Sequence, residues 1–268
     1  VRDPHGGRHE LGQNFLHHPP TVDRVVQLVR ATEGPVLEIG AGDGALTAPL
    51  ARLGRDLLAV EIDARRADRL RRRLPGVQVR CADALRVPID RPVVVGNIPF
   101  HLTTPLLRRL LAADGWQHAV VLTQWEVARK RAGVGGRTLL TAQHDPWFET
   151  VLHGRVPAEA FRPRPGVDGG LLGVTRRARP LVDPAERRPY QAFVAAVFTG
   201  RGRGLGELLP RAAGAPVRAA RSALRAAGVA PNALPRDLTP AHWAALWQEL
   251  GGPSRRGRPE AYDRSRAW

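Results

Sequence analysis

Methionine is absent from this 268-residue chain and cysteine occurs once. One thiol, Cys81, excludes an internal disulfide and any zinc cluster built on cysteines, and suits a reducing cytoplasm. Because Cys81 follows the strand-like run Val77-Gln78-Val79, a packed core thiol is the better reading than a nucleophile. No uninterrupted apolar run approaches the length of a membrane-spanning helix, and no secretory signal opens the chain. With no methionine, a chain that opens at Val1 is expected to lack its native first residues. Neither a membrane nor a metal is expected among its partners.

Acidic residues are also scarce: 25 Asp and Glu stand against 41 Lys and Arg, for a net charge of +16. The excess is arginine, since Lys130 is the only lysine. A GC-rich genome accounts for arginine in place of lysine, but not for acids so outnumbered. A polyanionic partner, most simply nucleic acid, accounts for both. With 43% hydrophobic residues the chain can bury a core, as one large domain or as a large and a small one.

Short apolar runs alternate with amphipathic stretches through the first two thirds. After a polar arm over 1–10, helical spacing runs from Pro19 to Arg30. Strands are expected at Val36–Ile39, Asp56–Glu61, Val77–Arg80, Val93–Gly96 and Ala119–Leu122, with helices at Ala45–Leu53, Ala64–Arg73 and Thr104–Leu111. Phe148–Val156 and Leu171–Thr175 read as a closing antiparallel pair. Alternation at this pace argues for an α/β fold, a parallel sheet covered on both faces by helices. Beyond about residue 180 only helices are expected, at Ala185–Phe198, Pro216–Ala227 and Thr239–Leu250. The division is therefore 11–179 for the α/β domain, 180–250 for a small helical domain, and 251–268 for a basic tail whose composition favours disorder.

Chemistry gathers at the carboxyl ends of the strands, where open α/β sheets bind ligands. Glu38-Ile39-Gly40-Ala41-Gly42-Asp43-Gly44 follows the first strand; its glycines permit close backbone approach and leave helix N-terminal N–H groups free. Glycine-rich turns also serve mere tight packing, and neither frame matches the dinucleotide fingerprint G-x-G-x-x-G, which disfavours a NAD-dependent dehydrogenase. Glu61-Ile62-Asp63 ends the second strand, placing a carboxylate where a ribose diol is held, or simply where water solvates it. Ala82-Asp83-Ala84-Leu85 follows the third. Asn97-Ile98-Pro99-Phe100 follows the fourth, and its amide and ring suit the exocyclic amine and face of a heterocycle. Any one of these arises by chance; four in order along one rim do so far less easily.

Gly12-Gln13-Asn14-Phe15-Leu16, E-I-G-A-G-D-G, E-I-D, A-D-A-L, N-I-P-F and the later Phe161-Arg162-Pro163-Arg164-Pro165-Gly166-Val167-Asp168 together resemble the ribosomal RNA adenine N6-methyltransferase family, over roughly residues 8 to 250. N-I-P-F and the short C-terminal part are similar to the Erm branch, which methylates 23S rRNA and confers macrolide, lincosamide and streptogramin B resistance. The resemblance implies a Rossmann-like class I methyltransferase sheet, mostly parallel with about seven strands, followed by a small C-terminal α-helical domain. It implies S-adenosyl-L-methionine as cofactor: Gln13, Asn14 and Leu16 closing over its methionine part, Gly40 and Gly42 against it, Glu61 on the ribose, Ile62 on the adenine, and Asp83 with Ala84 at the adenine amine. Asn97 faces both cofactor and target base. The partner implied is 23S rRNA, before or during ribosome assembly, met by a cytoplasmic monomer. Gly169 and the glycines of Val197–Arg203 depart from the usual pattern, which has a serine and a denser basic run there.

The chemistry expected is direct in-line transfer. Asn97 and the Ile98 carbonyl accept the two N6 hydrogens, Pro99 stiffens the turn, and Phe100 stacks on the adenine, worth about 1–3 kcal/mol. Candidate phosphate contacts are Arg129, Lys130, Arg131, Arg162, Arg164, Arg201 and Arg203, each of which also reads as a solvated charge. Two alternatives stand: the 16S rRNA dimethyltransferase branch, and a non-catalytic RNA-binding factor on the same fold.

Overall fold

The computed structural model describes residues 14–251, so the arm over 1–10, Gln13 and residues 252–268 of the tail lie outside the described residues. Two compact units are present: residues 14–132 with 149–176, and residues 133–148 with 177–251.

The first unit opens with the two-residue strand β1 (Phe15–Leu16) and α1 (Pro19–Arg30), whose Val25, Val26 and Val29 are buried. There follow β2 (Val36–Ile39), α2 (Thr47–Ala51), β3 (Leu57–Glu61), α3 (Ala64–Arg73), β4 (Gln78–Cys81), β5 (Val93–Asn97), α4 (Thr103–Ala112), β6 (His118–Gln124) and α5 (Trp125–Arg131). Every residue of β2 and β3 is buried, Glu38 and Glu61 included, which explains why apolar residues fill both faces: strands covered on both sides need no alternation. Asp63 caps α3, its Oδ1 accepting from the N–H groups of Arg65 (2.8 Å) and Arg66 (3.1 Å).

With β7 (Phe148–Val156) and β9 (Gly169–Arg176), these strands form a seven-stranded sheet in the order β4-β3-β2-β5-β6-β9-β7. The β2–β3, β3–β4, β2–β5 and β5–β6 pairs are parallel and β6–β9 is antiparallel. A small second ladder joins β1 to β8 (Phe161–Arg162), pairing Phe15 with Arg162 and Leu16 with Phe161. The chain runs outward from β2 through β3 to β4, then returns to β5 and runs the other way. The crevice between the carboxyl ends of β2 and β5 is therefore the topological switch point, where such sheets bind ligands.

The structure departs from the sequence-based expectation at two places in this unit. Cys81 is exposed rather than packed, because β4 is an edge strand with three of its four residues exposed. The helix expected over Ala45–Leu53 is only Thr47–Ala51, since the glycine turn continues into its first residues, with Gly44 N–H bonded to the Ala41 carbonyl at 2.9 Å.

The second unit holds α6 (Leu139–His144), α7 (Arg187–Thr199), α8 (Leu205–Ala213), α9 (Val217–Ala226) and α10 (Pro240–Leu250). Its core is aromatic: Tyr190 meets Trp247 edge-on at 5.8 Å and Trp147 at 5.3 Å, and Phe193 meets Trp243 at 6.3 Å. The buried Tyr190 hydroxyl donates to the Ala142 carbonyl at 2.9 Å, tying α6 to α7.

Candidate active site

A cleft opens at the switch point, lined by Asn14, Phe15, Gly40, Gly42, Glu61, Asn97, Ile98, Pro99 and Phe100. Gly40 (φ +74°) and Gly42 (φ +56°) occupy backbone that favours glycine. A side chain on Gly42 would meet the Phe15 ring at 3.0 Å. Glu61 is 1% exposed; its Oε2 accepts from the Gly42 N–H at 2.7 Å and its Oε1 from the Asp63 N–H at 2.9 Å. A carboxylate offers roughly four lone-pair sites, so these two hydrogen bonds leave about two more acceptor positions, enough for a vicinal diol. A glycine floor, a fixed carboxylate and a polar amide in one cleft fit a nucleoside carrying a polar tail.

Beneath the turn lies Glu38, fully buried and absent from the sequence-derived site. Desolvation raises its pKa to about 8; Thr47 hydrogen bonding opposes this and the neighbouring Glu61 charge adds to it. Its Oε2 has no hydrogen-bond partner among the described residues. Burial thus favours the neutral form of Glu38.

The orientation of Asn97 is the most informative contact. Its Nδ2 donates to the Asn14 carbonyl at 2.7 Å. A carbonyl only accepts, so the amide nitrogen must face Asn14 and the amide oxygen is left for the cleft. The Ile98 N–H donates to the Leu122 carbonyl at 3.0 Å, anchoring the tetrapeptide to β6. Ile98 itself is 1% exposed, so its side chain is core and only its backbone reaches the cleft. Phe100 begins a 3₁₀ turn and is partly exposed.

Phe100 meets Phe161 edge-on at 6.5 Å and 72°, a partner that sequence reasoning did not single out. Gly169 explains how Phe161 fits: a side chain there would lie 3.0 Å from the Phe161 ring. The segment is held by Asp168, which accepts from the Ala158 N–H at 2.8 Å and Arg155 Nε at 2.5 Å. The Ala158 hydrogen bond, then Arg155, hold its carboxyl below the usual range. Asp168 thereby fixes β8, β8 pairs with β1, and β1 follows the Asn14 carbonyl that aims Asn97.

The remaining expected residues are placed less centrally. Leu16 is buried in the core beside Phe161 rather than lining the cleft. Ile62 is 48% exposed next to Glu61. Asp83 and Ala84 stand on the turn after β4, where Asp83 Oδ1 accepts from the Leu85 N–H at 2.8 Å and the Ala84 carbonyl accepts from Arg109 at 3.0 Å. Arg129 pairs with Glu126 at 3.2 Å and Arg164 with Glu159 at 2.6 Å. Burial, then the nearby Arg108 charge, lower the pKa of Arg131. Lys130, Arg162, Arg201 and Arg203 are exposed. Among the described residues no group of three or more His, Cys, Asp or Glu side chains is placed to hold a metal ion.

A mostly parallel seven-stranded sheet with this cleft at its switch point defines a Rossmann-like methyltransferase. The pattern of the ribosomal RNA adenine dimethylase family matches residues 5–250, and the chain belongs to that family. It is an enzyme of ribosomal RNA adenine methylation. An rRNA adenine N-6-methyltransferase of Corynebacterium diphtheriae is 51% identical over 76% of this chain and 83% of its own length. The mycinamicin-resistance protein MyrB of Micromonospora griseorubida is 48% identical over 95% of this chain and 85% of its own. The crystal structure of the 23S rRNA methyltransferase ErmE superposes with a TM-score of 0.81 at 34% identity, covering 89% of this chain and all of that one.

Proposed function

We propose that this enzyme transfers a methyl group from S-adenosyl-L-methionine to N6 of an adenine in 23S rRNA, and so confers macrolide, lincosamide and streptogramin B resistance. The observation that carries the chemistry is the Asn97 amide held by the Asn14 carbonyl at 2.7 Å. The 23S target and the resistance rest on similarity to MyrB and ErmE.

In this reading Gly40, Gly42, Glu61, Ile62, Asp83 and Ala84 hold the donor, with Asn14 closing over it; the donor supplies an electrophilic methyl on a sulfonium. The adenine amine is a poor nucleophile because its lone pair is delocalised into the ring. Asn97 Oδ1 and the Ile98 carbonyl accept its two N–H hydrogens and draw electron density to nitrogen. Positioning and charge complementarity supply most of the rate. No side chain need remove the proton first, since the methylated amine is strongly acidic and releases it to solvent. Phe100, backed edge-on by Phe161, stacks on the extruded base, and the stacking offsets part of the few kcal/mol that extrusion costs.

The helical unit and the arginines named above contact rRNA phosphates, and the enzyme acts as a cytoplasmic monomer on 23S rRNA before or during ribosome assembly. Mass mapping of adenines in rRNA from cells with and without the gene tests the target. The expected result is a new N6-methyladenine in the peptidyl-transferase region of 23S rRNA together with macrolide resistance. Modification confined to 16S rRNA would replace this reading with the small-subunit one.

A further inference from the structure

Asp43, in the glycine turn, has no role in the chemistry above, yet three arginines of α3 converge on it. Arg66 pairs with its carboxylate, Arg69 approaches the same oxygen at 3.4 Å, and Arg73 donates to its backbone carbonyl at 2.5 Å. Arg66 does a second thing. Its guanidinium lies over the Phe15 ring, 4.1 Å from the centroid, with its side chain only 20% exposed. Phe15 lines the cleft and Arg66 does not, so the guanidinium covers the ring from outside. The ring packs on Gly42, where a Cβ would come within 3.0 Å. Asn14, the preceding residue, bonds to Asn97.

These contacts close a loop over the mouth of the cleft, from Asp43 through Arg66 and Phe15 to Asn14 and Asn97. The segment crossing the cleft is otherwise attached by the two-residue β1–β8 ladder, by the His17 N–H to the Ala160 carbonyl at 2.9 Å, and by buried Leu16. We propose that Arg66 is a positioning residue, a latch that holds Phe15 over the bound methyl donor and sets how fast donor and spent product leave. The inference rests on the functional reading above, because it takes the ligand of this cleft to be S-adenosylmethionine. A cation over an aromatic face, with its opposite charge on a second element, suits a latch. It closes without a buried apolar seal and opens by swinging one side chain.

The test is the dissociation rate of labelled S-adenosylmethionine and S-adenosylhomocysteine from the wild-type protein and from R66A, R66K, F15L and R66A/F15L, with a thermal melt of each. R66A is expected to release both ligands about tenfold faster, the scale of a partly desolvated cation–π contact. R66K, which keeps the ion pair but not the flat stack, is expected to fall between R66A and wild type. The double variant should be no faster than F15L, because Arg66 acts on the cleft only through the Phe15 ring. Rates within twofold of wild type in R66A, or effects of R66A and F15L that simply multiply, would overturn the latch. If R66A does not fold, R66K and F15L carry the test alone: unchanged release from both rejects the proposal. A wild-type protein that binds neither ligand rejects the functional reading itself, and the latch with it.

Discussion

At the scale of the residue, the site depends on which groups are charged and which way they face. Glu38 and Glu61 are both buried in the first unit, yet their environments separate them. Glu61 receives two backbone N–H groups, whereas Glu38 Oε2 receives none. Burial raises the Glu38 pKa from 4.5 to about 8, so the folded state holds this proton more tightly than the unfolded one. Between those two values the native state binds more protons, so the Glu38 contribution to stability falls as pH rises, and it is lost above about 8. Glu38→Gln, which is neutral throughout, should melt at a temperature less dependent on pH across that window and higher than wild type near pH 8.5. Melts at a series of pH values check this; parallel profiles for the two proteins would show that Glu38 is ionised in the fold.

At the scale of the element, the proposed catalytic tetrapeptide Asn97–Phe100 is aimed by a ladder of two residues on each side. Asp168 anchors the turn before β8, β8 pairs with β1, and β1 follows the carbonyl that orients Asn97. Asp168→Ala is therefore expected to lower kcat by roughly tenfold or more, in line with the sensitivity of catalysis to small misplacements of a catalytic group, while the melting temperature changes little. Single-turnover rates with saturating RNA, beside a melt, would show it.

This ladder was not legible beforehand. Two-residue strands carry no periodicity, and the F-x-P-x-P-x-V-D segment shows its residues but not that Phe161 turns inward to reach Phe100. Helix α8 was missed for a different reason: Leu205, Leu208 and Leu209 form a buried stripe, but Gly206 and Pro210 within it read as breakers. Helix α6 spans only six residues, too short for a period to show. By contrast β2, β3 and β5 were legible because their short runs dominated by valine, leucine and isoleucine admit little else. The rim motifs were legible because glycine, glutamate and asparagine interrupt those runs where each strand ends.

At the scale of the molecule, the charge of +16 makes salt the natural probe of RNA binding. Arg162 in β8 and Arg164 just after it are exposed; Arg164 pairs with the exposed Glu159 at 2.6 Å and lies within the field of the Asp168 carboxylate. Replacing both with glutamine should weaken RNA binding and reduce the slope of log affinity against log salt by about 0.7 per lost contact on single strands, up to about 0.9 on duplex. Donor binding should be unaffected. Filter binding from low to moderate salt measures the slope, and an unchanged slope would remove these two side chains from the RNA surface. The first unit carries the cleft and the candidate catalytic groups, so methyl-donor affinity and RNA affinity should respond to different sets of substitutions.

The account turns on the Asn97 amide oxygen, and its most direct test is a single-turnover methyl-transfer assay on Asn97→Ala with donor affinity measured on the same protein. Transfer is expected to fall by at least about a hundredfold, the scale of losing one preorganised polar contact to the reacting group, while the donor still binds within a few fold of wild type. Transfer at the wild-type rate by that variant would contradict the account.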